Sequence, residues 1–539
     1  MGVPRLSAAL FLAGLGALGC TPDVGASRLA QRPDTPDTSE LPPVFGEDDV
    51  VETHDSAGGR FRVHFTRDGE HAVPAEDADG DGVPDYVQLV GEEYERVLTF
   101  FVDDLGYPPP LGDSAVPDNG GDGRFDVYLL SFPSSADGAF RRDECLPDAP
   151  TRCPGHMVQE NDFAGRRYPS LAVATRVLAS HELFHAVQAG YPAEPGVIVS
   201  EGTAVWASEA YDPTLDDFEG FVGGYLARPE RSLDQEPTGP VDPFSYGAAI
   251  WFRFLETRFD RALLRELWEA PPDAADGSLD WLAILDALLA ERGASFAEAF
   301  AAFAEWNLYT GPRADPSVGY AEGARYPPVA ERDVDLPYSD DLVRQFHAST
   351  RYWRAAPGDR RSAAVALVSE EPGALEGLRL LLAFEDDDGG LAVRRGAAPR
   401  LEAVIPPRTE TVHAALINPA TGGGSQRVGL CLGSPGEVDD CLAVLDPMPP
   451  EDAGAAAPDG GVPDAGAAPM DGSGGCRVGR DGADAPWPWT FAALALFGLR
   501  RRRRSRPSTF LSNGNADDEA SAIPRARHER PGRPLRLRR

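Results

Sequence analysis

The sequence predicts an α+β domain followed by an all-β sandwich, and three observations carry that expectation. First, apolar residues recur at helical spacing over the first 310 residues. Val87, Val90, Tyr94, Val97, Leu98 and Phe101 mark one helix, and Leu171 to Ala189, stopped by Gly190 and Pro192, marks another. Leu263, Leu264, Leu267 and Trp268, then Trp281, Leu282, Ile284, Leu285 and Leu288, mark further helices. Second, Val127 to Leu130 is a short apolar run suited to a strand beside them. Third, the character changes from about 335. Short alternating stretches (Ala363 to Val368, Leu378 to Phe384, Thr411 to Ile417) are separated by Gly, Pro and Asp turns and end near Val444. The expected domains are therefore 46–333 and 334–445, the second a substrate-binding or spacer module.

A formal charge of −36 over 539 residues argues against a nucleic-acid partner, because phosphate would be repelled. All 50 basic residues are arginine, and many crowd into the far C-terminus, so the main body is more acidic still. Of six cysteines, Cys145 and Cys153 can close one small loop and Cys431 and Cys441 another. Both pairings suit an oxidising compartment; free buried thiols are the alternative.

The two ends are addresses rather than fold. Residues 1–20 combine Arg5 with an apolar run from Leu6 to Leu18, the pattern of a signal peptide. Leu15-Gly16-Ala17-Leu18-Gly19-Cys20 resembles a bacterial lipobox, which implies lipid attachment at Cys20; simple secretion is the alternative. Residues 21–45 have tether composition and 446–475 form a low-complexity linker. In 476–504, Cys476 is followed by a brief apolar run and by Arg500 to Arg504. That arrangement resembles the MYXO-CTERM sorting tail of myxobacterial surface proteins, which implies surface anchoring with Cys476 as the lipidated residue. An ordinary membrane anchor is the alternative, and the basic stretch 505–539 is expected to carry no function.

Asp77, Asp79, Asp81 and Asp85 alternate around Gly80 and Gly82, the spacing of hard oxygen ligands on a tight calcium loop. Gln88 stands where an EF-hand has its bidentate glutamate, so the loop is closer to those of thrombospondin type 3 and dockerin modules. A solvated acidic turn is the alternative. Asp118 to Asp126 form a second, weaker loop of this kind.

The chemistry concentrates at His181-Glu182-Leu183-Phe184-His185. On a helix the two histidines share a face one turn apart and can reach one metal ion, while Glu182 lies where a carboxylate polarises a water. That is the working core of a zinc hydrolase. Two core-facing histidines flanking a glutamate would each need a buried partner, which makes a purely structural role a poor account. Metzincins place Gly and His at positions that here hold Gln188 and Tyr191. Gluzincins take a glutamate from a following helix, and Glu201 in Ser200-Glu201-Gly202-Thr203-Ala204 fits, with Ser200 expected to cap that helix. Glu209 is the runner-up ligand, and Glu209 or Asp212 could instead orient a histidine.

Residues of about 45 to 330 thus resemble a family of myxobacterial surface metalloproteases. The shared elements are the Asp77–Asp85 loop, the Asp126-Val127-Tyr128-Leu129 strand, HELFHAVQ from His181, EGTAVW from Glu201, and Tyr246-Gly247 on a later helix. The resemblance implies a zincin-like, gluzincin-type catalytic domain binding Zn2+ through His181, His185 and Glu201, with Glu182 as general base. It implies Tyr246 as the oxyanion donor; packing beside Trp251 is the alternative. Protein or peptide substrates, structural Ca2+ and a membrane tether complete the expectation. The competing class is a non-catalytic, calcium-dependent surface or adhesion protein on a degenerate zincin fold.

Overall fold

The computed structural model describes residues 44–445 apart from 118, 133–136, 236, 238–241 and 370–371. The segments expected to be leader, most of the tether, linker, sorting segment and basic tail, with Cys20, Cys476 and Asp118, lie outside the described residues. Among the described residues no helix is long and apolar enough to cross a membrane.

A mixed five-stranded sheet opens the fold. Its strands are β1 (Glu52–Asp55), β2 (Phe61–Phe65), β3 (Phe125–Leu130), β4 (Gly138–Arg142) and β5 (Gly155–Glu160), in the order β1-β2-β3-β5-β4. β2, β3 and β5 run parallel, while β1 and β4 are antiparallel edges. Alternation puts Phe61, Val63, Val127, Leu129 and Met157 on one face. Two helices cover it. α1 (Asp85–Thr99) contributes Val87, Val90, Tyr94, Val97 and Leu98 to the shared core, and α2 (Leu171–Gln188) contributes Leu178, Leu183, Phe184 and Val187. α2 is buried on nearly every side, which is why its apolar residues are not confined to one stripe. Ser170 caps it, accepting from Val173 N at 3.2 Å.

Helix α3 (Val197–Tyr211) then packs on α2, and α4 (Asp217–Leu226), α5 (Pro243–Gly247) and α6 (Ala249–Arg258) pack on α3. They are followed by α7 (Ala262–Glu269), α8 (Trp281–Glu291) and α9 (Phe296–Trp306). α3 starts at Val197, three residues before Ser200, with Gly196 at its N-cap position, so Ser200 is not its cap. Ile198 and Val199 are buried, and their burial extends the helix backward past the residue whose chemistry suggests a cap. α4 and α5 approach closely at Gly247, where a Cβ would lie 2.3 Å from Tyr225 N. The glycine after Tyr246 is therefore a packing requirement that fixes where the tyrosine sits.

The C-terminal region is β-rich. Its strands are β6 (Arg332–Asp333), β7 (Tyr338–Gln345), β8 (Ser349–Ala355), β9 (Ser362–Val368), β10 (Arg379–Asp386), β11 (Leu391–Ala397), β12 (Arg400–Val404), β13 (Thr409–Asn418) and β14 (Gln426–Gly433). One sheet has the order β11-β10-β13-β8-β6 and the other β12-β9-β14-β7. They share a core that includes Trp353, Val365, Leu380, Leu382, Phe384, Val412, Leu416 and Leu430. A helix, α10 (Pro435–Val444), closes the described residues where the sequence suggested only strands, and Cys431–Cys441 ties it to β14.

The first of these sheets is covered on both faces. Tyr352, Leu381, Ala383, Ala415 and Ile417 belong to the same core as the helices and the first sheet. Tyr352 Oη donates to Ala304 O at 2.8 Å, Thr350 N to Pro229 O at 2.8 Å, and Leu233 N to Ala348 O at 3.1 Å. A buried ionic cluster joins them: Glu331 meets Arg313 and His413, each at 2.6 Å. The near-continuous apolar run of β10 follows from this double coverage.

Candidate metal centre

Both histidines of α2 face α3. His181 and His185 are 2% exposed and partly buried, respectively, and their rings meet edge to face with centroids 4.9 Å apart. Their Nε2 atoms face one another at 3.2 Å. Two nitrogen lone pairs at that separation repel unless a proton or a cation lies between them.

Glu201 enters from the second turn of α3. Its Oε2 lies 3.4 Å from His181 Nε2 and 3.6 Å from His185 Nε2. Those contacts are electrostatic rather than well-formed hydrogen bonds, and Oε2 is buried without a hydrogen-bond partner. Burial opposes ionisation of both groups, but the attraction between them prevails: Glu201 is held well below the usual carboxylate range and His185 well above the usual imidazole range. The arrangement favours positive charge beside the Glu201 carboxylate. Gly202 lets α6 come close, since a Cβ there would lie 2.6 Å from Phe252, and this brings α3 down onto the site.

The remaining side chains are fixed by neighbours. Glu182 Oε2 accepts from Phe140 N at 3.0 Å, so edge strand β4 holds the carboxylate beside the imidazoles. Burial raises the Glu182 carboxyl above its ordinary value, against the two nearby histidines. Tyr246 stacks at 6.1 Å from the His181 ring and 5.3 Å from Phe221. Burial first, and then the nearby Glu201 and Glu182 carboxylates, keep its phenol protonated. It therefore stands at the site, and Trp251 packs elsewhere against Phe254 and Phe303. The loop closed by Cys145–Cys153 seats the far end of α2: Cys153 N donates to Ala189 O at 3.0 Å and Arg152 Nε to Gly190 O at 2.8 Å. These contacts satisfy carbonyls that a helix end leaves open.

Glu209 and Asp212 do other work. Asp212 pairs with Arg176 at 2.8 Å. Glu209 lies two turns beyond Glu201, its Oε1 buried without a hydrogen bond and 3.9 Å from Arg253. Desolvation, with Glu219 and Glu322 nearby, pushes its carboxyl up to about 8. A proton held by the folded state but not by the unfolded chain stabilises fully below the ordinary value of 4.5 and is lost as pH rises through about 8. Glu209→Gln is therefore expected to raise the melting temperature relative to the parent progressively between pH 5 and pH 8.5. A difference that does not change with pH over that interval would refute the assignment. The sequence placed this glutamate second to Glu201 as a ligand, and the structure sets it beside Arg253 instead of the histidines.

In the first acidic loop, carboxylate oxygens of Asp77, Asp79 and Asp85 gather within 4.8 Å of one another. Asp81 stands apart: Gln88 Nε2 donates to its Oδ2 at 2.8 Å and Val83 N to its Oδ1 at 2.8 Å. In the second loop the described carboxylates pair with basic side chains instead, Asp122 with Arg62 at 2.8 Å and Asp126 with His64 at 2.7 Å. The residue that the spacing arguments passed over is Gln188, whose Oε1 meets His185 Nδ1 at 2.8 Å.

Comparison with known proteins adds little. No protein-family model matches the chain, and no curated protein does. Among solved structures, it is similar to the pre-peptidase C-terminal domain of a collagenase from Bacillus anthracis. That likeness covers 19% of this chain and 94% of the other, at 12% identity and a TM-score of 0.16, too slight to carry an argument.

Proposed function

We propose that this chain is a zinc-dependent peptidase of the gluzincin type. It acts outside the cytoplasm on protein or peptide substrates and is tethered to the cell envelope through Cys20, Cys476 or both. The observation that carries the proposal is the donor triangle of His181 Nε2, His185 Nε2 and Glu201 Oε2, with sides of 3.2, 3.4 and 3.6 Å. Donors on a tetrahedral zinc ion, with arms of about 2.0–2.2 Å, are separated by roughly 3.3 Å. Two imidazoles with one carboxylate suit zinc and leave one position open, whereas calcium and magnesium prefer all-oxygen sets. Zinc held there would supply Lewis acidity and a water that ionises near neutral pH.

The protein groups divide the remaining work. Glu182, anchored by the Phe140 N–H, takes the proton of the attacking water and returns it to the leaving amine; its raised affinity for protons suits both transfers. Tyr246, kept protonated by burial, donates to the oxygen that becomes anionic as the peptide carbonyl is attacked. β4 is an edge strand lying against Glu182, and its outer edge can take an extended peptide by main-chain pairing. The two disulfides suit an oxidising compartment. Zinc analysis of the purified chain together with digestion of a peptide library tests the proposal. Stoichiometric zinc with cleavage is expected; a chain that binds no divalent metal refutes it. Zinc without cleavage of any peptide would leave the surface-protein reading standing.

The same proposal includes structural calcium at Asp77, Asp79 and Asp85, which would brace the entry to α1. Calcium at a hundredfold excess over its dissociation constant is expected to stabilise the fold by about 2.7 kcal/mol. The increase in melting temperature should vanish in Asp77→Asn. Equal increases in parent and variant would remove calcium from this loop.

A further inference from the structure

Gln188 lies three residues after His185 on α2, and its side chain is buried, 5% exposed. Oε1 accepts from His185 Nδ1 at 2.8 Å and from Ser200 Oγ at 3.0 Å. Nε2 donates to Ser200 O at 2.9 Å and to Thr203 Oγ1 at 3.0 Å. Thr203 Oγ1 itself donates to Val199 O at 2.7 Å, so it is an acceptor toward the amide. This pattern fixes the amide's orientation: a flipped group would set its carbonyl oxygen against Ser200 O and its NH2 against His185 Nδ1. An amide oxygen can only accept. His185 Nδ1 therefore carries a hydrogen, which leaves Nε2 as the nitrogen that can give a lone pair to a cation held with His181 and Glu201.

We propose that Gln188 is the positioning residue of the metal centre. It sets the tautomer and ring orientation of His185, and through Ser200 and Thr203 it ties the histidine helix to the first turns of the helix that carries Glu201. The inference rests on the reading that these residues hold a divalent ion.

The test uses the full chain and measures zinc affinity by chelator competition, with melting of the metal-free protein as a separate readout. Gln188→Met fills similar volume but cannot accept the Nδ1 hydrogen, and affinity is expected to fall by about 10- to 100-fold. Gln188→Glu keeps that acceptor and loses both donors toward α3. Its metal-free melting temperature should drop, while zinc affinity stays within about threefold of the parent. A Gln188→Met protein that binds zinc as tightly as the parent overturns the proposal. So does a Gln188→Glu protein that loses as much affinity as Gln188→Met, since the effect would then be loosened packing. Should Gln188→Met fail to fold, nitrogen-15 spectra of the zinc-loaded parent decide the point. His185 is expected to be protonated at Nδ1, and a ring protonated at Nε2 contradicts the assignment. A parent that binds no zinc removes the peptidase proposal itself, which is a different outcome from either variant result.

Discussion

Glu182→Gln is expected to retain stoichiometric zinc and to lose about a hundred- to ten-thousand-fold in peptide cleavage. The substitution is nearly isosteric, and the glutamine carbonyl can still accept from Phe140 N, which holds the native carboxylate at 3.0 Å. It cannot take a proton. The donor triangle of His181, His185 and Glu201 does not include this side chain, so metal content should not change. Metal analysis and a fluorogenic peptide assay on the same preparation check both halves. Cleavage at the parent rate would dispose of the general-base role. Loss of zinc along with activity would instead mean that Glu182 shapes the metal site.

The second large effect concerns the β-rich region. A chain ending at residue 333 is expected to be insoluble or unfolded and to bind no zinc. Truncation would remove Tyr352, Leu381, Ala383, Ala415 and Ile417 from the core they share with the helices, and the Tyr352 to Ala304 hydrogen bond with them. It would also leave Arg313 and Glu331 without His413. Each large apolar side chain removed from such a core costs about 2–5 kcal/mol, and a few of these exceed the stability of an ordinary domain. In the parent, calorimetry should show both regions melting in one transition. Leu381→Ala should lower that single transition by an amount matching about 2–5 kcal/mol. A soluble, zinc-binding chain that ends at 333, or two independent transitions in the parent, would show the regions to be separable.

The local elements were the most legible part of this protein. The helix through Val87 to Leu98 follows from apolar spacing, because burial on one side imposes a period, while the strand at Val127 to Leu130 and the helix through His181 and His185 show as apolar stretches of strand and helix length bounded by turn residues. The strands at 363–368, 378–384 and 411–417 were legible for the same reason, within a residue or two of β9, β10 and β13. The start of α3 was not. A serine ahead of a glutamate reads as a cap, but the burial of Ile198 and Val199 carries the helix back to Gly196. α10 was missed because its apolar residues face only the outer side of one sheet and form too small a pattern.

At the site, sequence alone named the residues His181, Glu182, His185 and Glu201 by type and spacing, since a helix fixes which side chains share a face. It also marked the two cysteine pairs that the fold joins. The sequence ranked Glu201 ahead of Glu209, and the tertiary structure gave them different surroundings, two imidazoles against one arginine, which come from other elements. Only the tertiary structure revealed Gln188 as the partner of His185, the hold of edge strand β4 on Glu182, and the seating of the β-rich region on the helical core. Periodicity reports which way a side chain faces. What it meets there is decided by packing between segments distant in the chain, and that information is in no local window of the sequence.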